Sequence, residues 1–408
     1  MRVLWLTPEL PFAPGGTGGA TRQFHLVKGL VARGHDVDVV APIHPTQEAG
    51  ADLLRATGAT LLGVRRPASR VRETLAALGR RPALAVDLVR LPVVAWQVEV
   101  FRTALWPQAQ VALSRKPDVI VVEHDWAARW VDRLPAGVPR ACGLQNLSWR
   151  YYESRSGAAQ GRLAAAALRA EARRFAAFDR RWLAQFQALM TMSPDDAALA
   201  SELLGRDSTV IPNGVDTSQV VVNPLPGDPV ALFTGTFDYP PNAEALEWLL
   251  TGIWPRVSAE RPDARLLVVG RNVPPRLEEL AGESVTIAGW VPEMQPWFDR
   301  AQAVLVPMRS GGGTRLKVLD GLASGRPLVT TTMGAEGIAI TPDREALLAD
   351  TEEAFAAAVV RTFGDADLAQ RLGAAGRALA EGEYDWRAIG ERCADLLQGL
   401  ARGDRQTA

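Results

Sequence analysis

Cysteine is nearly absent from this chain: Cys142 and Cys393 are the only two in 408 residues. Two such distant thiols exclude a disulfide framework and a cysteine-based zinc motif, and they fit a reducing cytoplasm. Histidine is almost as scarce. His25, His35, His44 and His124 are all of it, so the whole second half has none. The sequence also lacks a G-x-S-x-G serine, a Walker A segment, a His/Cys metal cluster and a pair of metal-binding carboxylates beside a strand end. No run reaches the roughly 18 uninterrupted apolar residues of a membrane span. The best candidate, near Leu91–Val98, is bounded by Arg90 and Glu99. Nor is a signal peptide expected, because Pro8 ends the short apolar run that follows Arg2. A net charge of -1 gives no global pull toward nucleic acid.

What is present is a chain long enough for two domains, 47% apolar, with its charge unevenly spread. Arg65 to Arg102 holds eight arginines against Glu73, Asp87 and Glu99, and Arg150 to Arg181 holds eight more against Glu153, Glu171 and Asp179. These stretches read either as solvated helix faces or as a face that meets anionic lipid or a phosphate-bearing acceptor.

The chain opens with a buried strand at Val3–Leu6, a glycine-rich loop from Pro11 to Gly19, a helix from Thr21 to Ala32 and a second strand at Val37–Val40. That is a βαβ start and predicts a parallel sheet. A strand at 59–64, a long helical region from Ala68 to Leu113, a buried strand at 118–122, an Ala/Arg-rich helix over 158–186 and a strand at 188–192 follow. Residues 216–229 have the Pro/Gly density of a linker. The pattern then restarts: strands at 230–233, 264–269, 285–287, 303–306 and 328–331 alternate with helices at 242–254, 294–300 and 316–323. A helical tail from about Ala388 to Leu400 closes the chain. Two successive α/β units of similar size follow from this, each expected to bind ligands at the carboxyl ends of its strands.

Three segments could carry chemistry. Pro307–Asp320 follows a strand and opens a helix. Its glycines allow close backbone approach, the helix N-terminus adds free N–H donors, and Arg309, Arg315 and Lys317 add full positive charge. That combination suits a diphosphate, and Asp320 is placed to accept hydrogen bonds from two ribose hydroxyls. Pro14–Arg22 is a second strand-to-helix glycine loop. It fails the G-x-G-x-x-G spacing, because Thr21 stands three after Gly18, and no carboxylate ends the second strand. NAD binding is therefore not expected. The loop either touches a phosphate from the other side of a cleft or is a structural turn. His124 lies at the carboxyl end of a buried strand, where ligands collect. His35 reads as a helix cap, and Ser193 as the N-cap of a helix at Pro194.

With those pieces placed, the chain resembles the large retaining GT-B glycosyltransferase family 4, over most of its length. The segments that carry the likeness are Ile211–Asp216; Phe233–Thr236 with Pro241-Asn242; Val268–Arg271; Ala288–Pro292; Gly313–Val329; and Gly334–Gly337. Each is short, but their order and spacing are specific, and the last two resemble a common bacterial branch. The resemblance implies two Rossmann-like parallel-sheet domains facing each other across a cleft. Residues 1–215 would form the acceptor side, with the helix at about 388–408 packing back on it, and residues 216–387 would bind the nucleotide sugar.

By position, Gly18 and Gly19 with Gly16 would face the donor phosphates and His124 would contact the transferred sugar. Val291 would hold the base, Gly312, Gly313 and Thr314 would cradle the diphosphate, Arg309 and Lys317 would neutralise it, and Asp320 would hold the ribose. The chain also departs from the pattern. The E-x7-E motif of the family has Gly312 at its first position and Asp320 at its second. The Arg and Lys pair that often follows Gly235 is missing, which leaves Arg271, Arg315 or Lys317 to replace it.

The implied activity is transfer of a sugar, of hexosyl type, from a nucleotide diphosphate to an acceptor hydroxyl, with retention and without a metal or other cofactor. An inverting enzyme would need a base near the acceptor, and the first loop offers only Glu9 before His25. A same-fold epimerase or phosphorylase and a non-catalytic nucleotide-sugar-binding protein are the alternatives. The three lysines, Lys28, Lys116 and Lys317, leave little room for a pyridoxal phosphate site. The acceptor, whether small molecule, glycan or lipid-linked, is not specified. The chain is expected in the cytoplasm, in bacterial glycan or glycoconjugate synthesis, and its basic helices would allow peripheral contact with the inner membrane face.

Overall fold

The computed structural model describes residues 1–66, 70–157, 159, 161–311 and 315–403. The chain divides into two compact units, Met1–Pro212 with Ile389–Ala408, and Asn213–Ala388.

The first unit is built on seven parallel strands: β1 (Arg2–Leu6), β2 (Asp36–Ile43), β3 (Thr60–Arg65), β4 (Val119–Glu123), β5 (Arg140–Gly143), β6 (Ala188–Thr191) and β7 (Thr209–Val210), in the order β3-β2-β1-β4-β5-β6-β7. The central strands are apolar on both faces because helices cover both sides of a parallel sheet. Val119, Ile120, Val121 and Val122 are all 0% exposed. Each such side chain contributes about 1.5–3 kcal/mol when fully buried, an upper figure since the unfolded chain already hides part of it. Thr17 starts the first helix, Gly18–Ala32, by accepting the Ala20 N–H at 3.0 Å.

The long helical region expected from Ala68 to Leu113 is instead three helices, Arg70–Arg80, Leu84–Arg90 and Val93–Ser114. The breaks fall at Pro82 and Pro92, whose rings remove a donor and clash with the preceding turn. The Ala/Arg-rich helix is shorter than its composition suggests, spanning Arg162–Trp182. Ser193 caps the helix Pro194–Leu204 through the Asp196 N–H, as expected. His35 is structural too, 3.0 Å from the Gln398 side chain.

The last helix, Trp386–Arg402, belongs from Ile389 onward to the first unit. It meets the first helix where two glycines face each other: a Cβ on Gly29 would lie 3.0 Å from the Gly390 Cα. Arg33 pairs with Asp395 at 3.2 Å, and Cys393 and Leu397 are fully buried.

The second unit repeats the plan with six parallel strands: β8 (Val230–Thr234), β9 (Arg265–Val269), β10 (Val285–Gly289), β11 (Ala303–Val306), β12 (Leu328–Thr330) and β13 (Leu347–Leu348), ordered β10-β9-β8-β11-β12-β13. The helix expected over 242–254 runs from Pro240 to Trp248, passes through a π-turn at Leu249–Ile253 and resumes at Trp254–Glu260. In both sheets the order reverses beside the first strand, between β1 and β4 and between β8 and β11. Connections leave on opposite faces there, so a crevice opens at the carboxyl ends. No helix among the described residues is long and apolar enough to cross a membrane.

Candidate active site

At the β1/β4 switch point the chain gathers Glu9 from the loop after β1 and His124 from the end of β4. Glu9 Oε1 lies 2.9 Å from His124 Nε2. The same carboxylate accepts a hydrogen bond from Thr17 Oγ1 at 3.0 Å and from Gln23 Nε2 at 2.9 Å. Gln23 is fixed in turn by the Trp5 indole N–H at 3.3 Å. Burial opposes charge on both partners. For His124 the hydrogen bond and charge of Glu9, with Glu123 and Asp125, more than offset it and raise the imidazole above its ordinary value. Glu9 is held below its ordinary value, because the hydrogen bond and charge of His124 outweigh its burial. The pair is thus carboxylate and imidazolium.

His124 takes a left-handed backbone (φ 72°), rare for a residue with a side chain. Below it, Glu123 accepts from Gln145 Nε2 at 3.0 Å, and its burial raises its pKa while the charge of the buried Arg22 opposes the rise. Arg22 donates to the Pro212 carbonyl at 2.6 Å.

The glycines of the first loop answer to this cluster. A Cβ on Gly19 would overlap the side chains of both Gln145 and Glu9, and one on Gly16 would overlap the Phe12 carbonyl oxygen. Gly18 begins the helix. Glu9 therefore brings a carboxylate of the chain itself to the mouth of the loop, a role composition alone did not reveal. Its partner lies 115 residues away.

At the β8/β11 switch point the central group is Lys317, in the first turn of the helix Leu316–Ala323. Its Nζ donates to Asn242 Oδ1 at 2.7 Å and sits 4.8 Å over the Phe233 ring. Asn242 is held by donating to the Thr236 carbonyl at 2.8 Å. Among the described residues no carboxylate comes within ion-pair distance of Lys317. Desolvation, helped by the Arg315 charge and opposed by Asp320, lowers Lys317 to about 7. Asp320 lies in a protein-crowded hollow whose desolvation raises it to about 6 against the pull of Lys317, while its outer face stays open to solvent.

Gly235 presses on this site, with a hypothetical Cβ 3.3 Å from Lys317 Nζ. Gly270, one residue before Arg271, has φ 153°, and a Cβ there would overlap the Gly235 carbonyl oxygen. Arg271 is exposed and accepts the Phe237 N–H through its carbonyl at 3.0 Å. Val291, partly buried, packs on the core just after β10.

Arg309 does not join Lys317 in any hydrogen bond; its guanidinium lies 4.6 Å over the Trp248 ring. Arg315 is buried, paired with Glu336 at 3.0 Å and donating to the Gly311 carbonyl at 3.1 Å. Gly312, Gly313 and Thr314 lie outside the described residues. Asn242 is the residue sequence reasoning passed over, although Pro241-Asn242 at the start of a helix after a strand-end glycine was a usable signal.

Residues 17–214 match the family described as glycosyl transferase 4-like domain, and residues 228–365 match that described as glycosyl transferases group 1. Among curated proteins, the chain is 28% identical to the phosphatidyl-myo-inositol mannosyltransferase of Mycolicibacterium smegmatis over 204 residues, 46% of this chain and 51% of that protein. It is also 28% identical to a GDP-mannose-dependent phosphatidylinositol monomannoside mannosyltransferase of Corynebacterium glutamicum over 161 residues, 36% and 42% of the two. The match thus spans about half or less of these relatives' own length. Among solved structures, sucrose-phosphate synthase from Thermosynechococcus elongatus superposes with a TM-score of 0.69 at 17% identity, covering 99% of this chain and 100% of that one. Anabaena HepE in complex with UDP-glucose gives 0.67 at 14%, covering 98% and 100%. At these identities the superpositions establish the fold. Two Rossmann-like units, each with its switch point, and two family matches that together leave only residues 1–16, 215–227 and 366–408 unmatched place this chain in the GT-B glycosyltransferases of the family 4 type.

Proposed function

We propose that the chain transfers a hexosyl group from a nucleotide-diphosphate sugar to an acceptor hydroxyl, with retention of configuration and without a metal ion. The observation that carries this reading is Lys317: an ammonium partly desolvated at a sheet switch point, anchored by a neutral amide and left without a carboxylate partner. A cation so placed is short of an anion, and a diphosphate supplies one. Its lowered pKa, about 7, means that donor binding near neutral pH would draw a proton onto Nζ.

In the reaction the anomeric C–O bond to the β-phosphate breaks and its electron pair leaves with the nucleotide diphosphate. The acceptor oxygen forms the new C–O bond on the same face, and its proton passes to the departing phosphate oxygen. Lys317 stabilises the charge that develops on that leaving group, with the backbone donors at the start of its helix. Asp320 is assigned to the ribose, Val291 to the base and His124 to the transferred sugar. Retention rests on the likeness to family 4. The two free, buried cysteines accord with a cytoplasmic setting, where nucleotide sugars are made.

The relatives' names offer two donors, GDP-mannose and UDP-glucose. A thermal-shift screen of UDP, GDP, ADP and dTDP with their sugar conjugates, with and without Mg²⁺, decides between them. A nucleotide at 100 times its dissociation constant stabilises the native state by about 2.7 kcal/mol. The expected result is a shift with one base, independent of metal and lost in Lys317→Ala. No shift with any nucleotide would sink the donor assignment. Proton NMR of the first-formed product reads the anomeric configuration.

A further inference from the structure

The helical flank of the first unit carries a second positively charged cavity, of about 360 Å³, between the helices Leu84–Arg90 and Arg162–Trp182 and the turn Asp125–Arg133. Four arginines line it: Arg90, Arg129, Arg174 and Arg181, beside Phe178 and Trp182. Two of them are spoken for. Arg129 donates to Asp87 at 2.9 Å, and Arg174 donates to Glu171 at 3.1 Å and to the Leu91 carbonyl. The other two have no carboxylate within ion-pair distance among the described residues. Arg181 lies 4.9 Å over the Trp182 ring, whose face Arg129 also approaches at 5.8 Å.

Four guanidiniums against two carboxylates leave a surplus of positive charge in one hollow, and like charges there repel unless an anion joins them. The neighbouring groove of the same unit is better balanced. It is larger, about 440 Å³, and sets Arg169, Arg173 and Arg180 against Glu153 and Glu202. Guanidinium forks match the oxygens of a phosphate in pairs. The two restrained arginines give the hollow a fixed wall, and the two unneutralised ones supply the surplus charge.

We propose that this cavity binds a phosphate group, as a phosphomonoester or a diphosphate, at a site separate from the strand ends and independent of sugar transfer. The phosphate could be soluble or carried by a lipid. Val86, Leu88 and Val93, which flank the lining residues in sequence, are 52%, 46% and 45% exposed and would suit an amphiphile.

The test is calorimetric titration with inorganic pyrophosphate. Because the proposed donor edge also takes a diphosphate, it is run in a Lys317→Ala background. Binding should persist there and weaken about a hundredfold on adding Arg90→Gln and Arg181→Gln, near tenfold for each charge-assisted contact removed. Both arginines are exposed, so the fold should survive, and a melting curve checks it. Should the melting point fall, Arg90→Lys with Arg181→Lys keeps the charge and removes the fork, with a smaller weakening expected.

Flotation with phosphatidylcholine vesicles, with and without phosphatidic acid, separates the sources. Arginine-dependent flotation only with phosphatidic acid assigns a lipid-borne phosphate; pyrophosphate binding without flotation assigns a soluble one. Pyrophosphate affinity untouched by the arginine changes, or no binding of either probe, overturns the site. Loss of all pyrophosphate binding in Lys317→Ala alone overturns it too, and leaves the donor reading intact.

Discussion

The two switch points are built on one plan and charged in opposite ways. At β1/β4 each ionised group has been answered from within the chain: Glu9 by His124, Thr17 and Gln23, and Glu123 by Gln145. At β8/β11 a single ammonium is held by a neutral amide and an aromatic face, with its counter-charge left out. An edge that neutralises itself is suited to neutral ligands such as sugar hydroxyls. An edge that withholds the counter-ion is suited to an anion.

Lys317→Ala should break the contrast most. Removing one pre-placed donor to a developing anion costs about 10²–10³ in kcat. Its melting point should hardly change, since the buried ammonium is a burden on folding; equal turnover in a radiolabelled transfer assay would refute the assignment. Gly270→Ala comes next. It forces a Cβ onto the Gly235 carbonyl and should cost about 2–4 kcal/mol of stability, read by urea unfolding.

Glu9→Gln sharpens the comparison from the other side. Losing the carboxylate removes the influence that raises His124, so the limb of the kcat/KM–pH profile that reports the imidazolium should move to lower pH, with turnover reduced about tenfold. An unmoved limb would show that the pair has no part in the reaction. The same pair contributes to stability above the ordinary Glu9 value. That contribution is lost as pH falls through the lowered Glu9 pKa, and again as pH rises through the raised His124 pKa.

The smallest effect belongs to Lys317 in the free protein. Its folded pKa, about 7, lies below the unfolded value of 10.5, so the unfolded chain binds more protons between them and stability rises with pH over that window. Melting curves of Lys317→Met should lack that part of the rise.

The strands were legible because a parallel sheet buries both faces and leaves continuous apolar runs such as Val119–Val122. The long helical region before them was misjudged as one element although Pro82 and Pro92 marked its breaks; apolar periodicity ran straight across both. Lys317 and Asp320 stood out because they lie in one loop-to-helix segment. The Glu9–His124 pair did not, because an ion pair between residues this far apart leaves no trace in spacing. Asn242 fell between the two cases: its helix start was visible, but its partner lies 75 residues on.

The closing helix has a consequence for the order of events on the ribosome. The first unit is discontinuous: Gly390 lies against Gly29, and Cys393 and Leu397 fill its interior from the far end of the chain. Nascent domains usually fold in the order in which they emerge. Here the sheet that is made first must wait, with the face around Gly29 uncovered, until the whole second unit has been translated, so the later-synthesised unit can be complete while the earlier one still lacks its last piece.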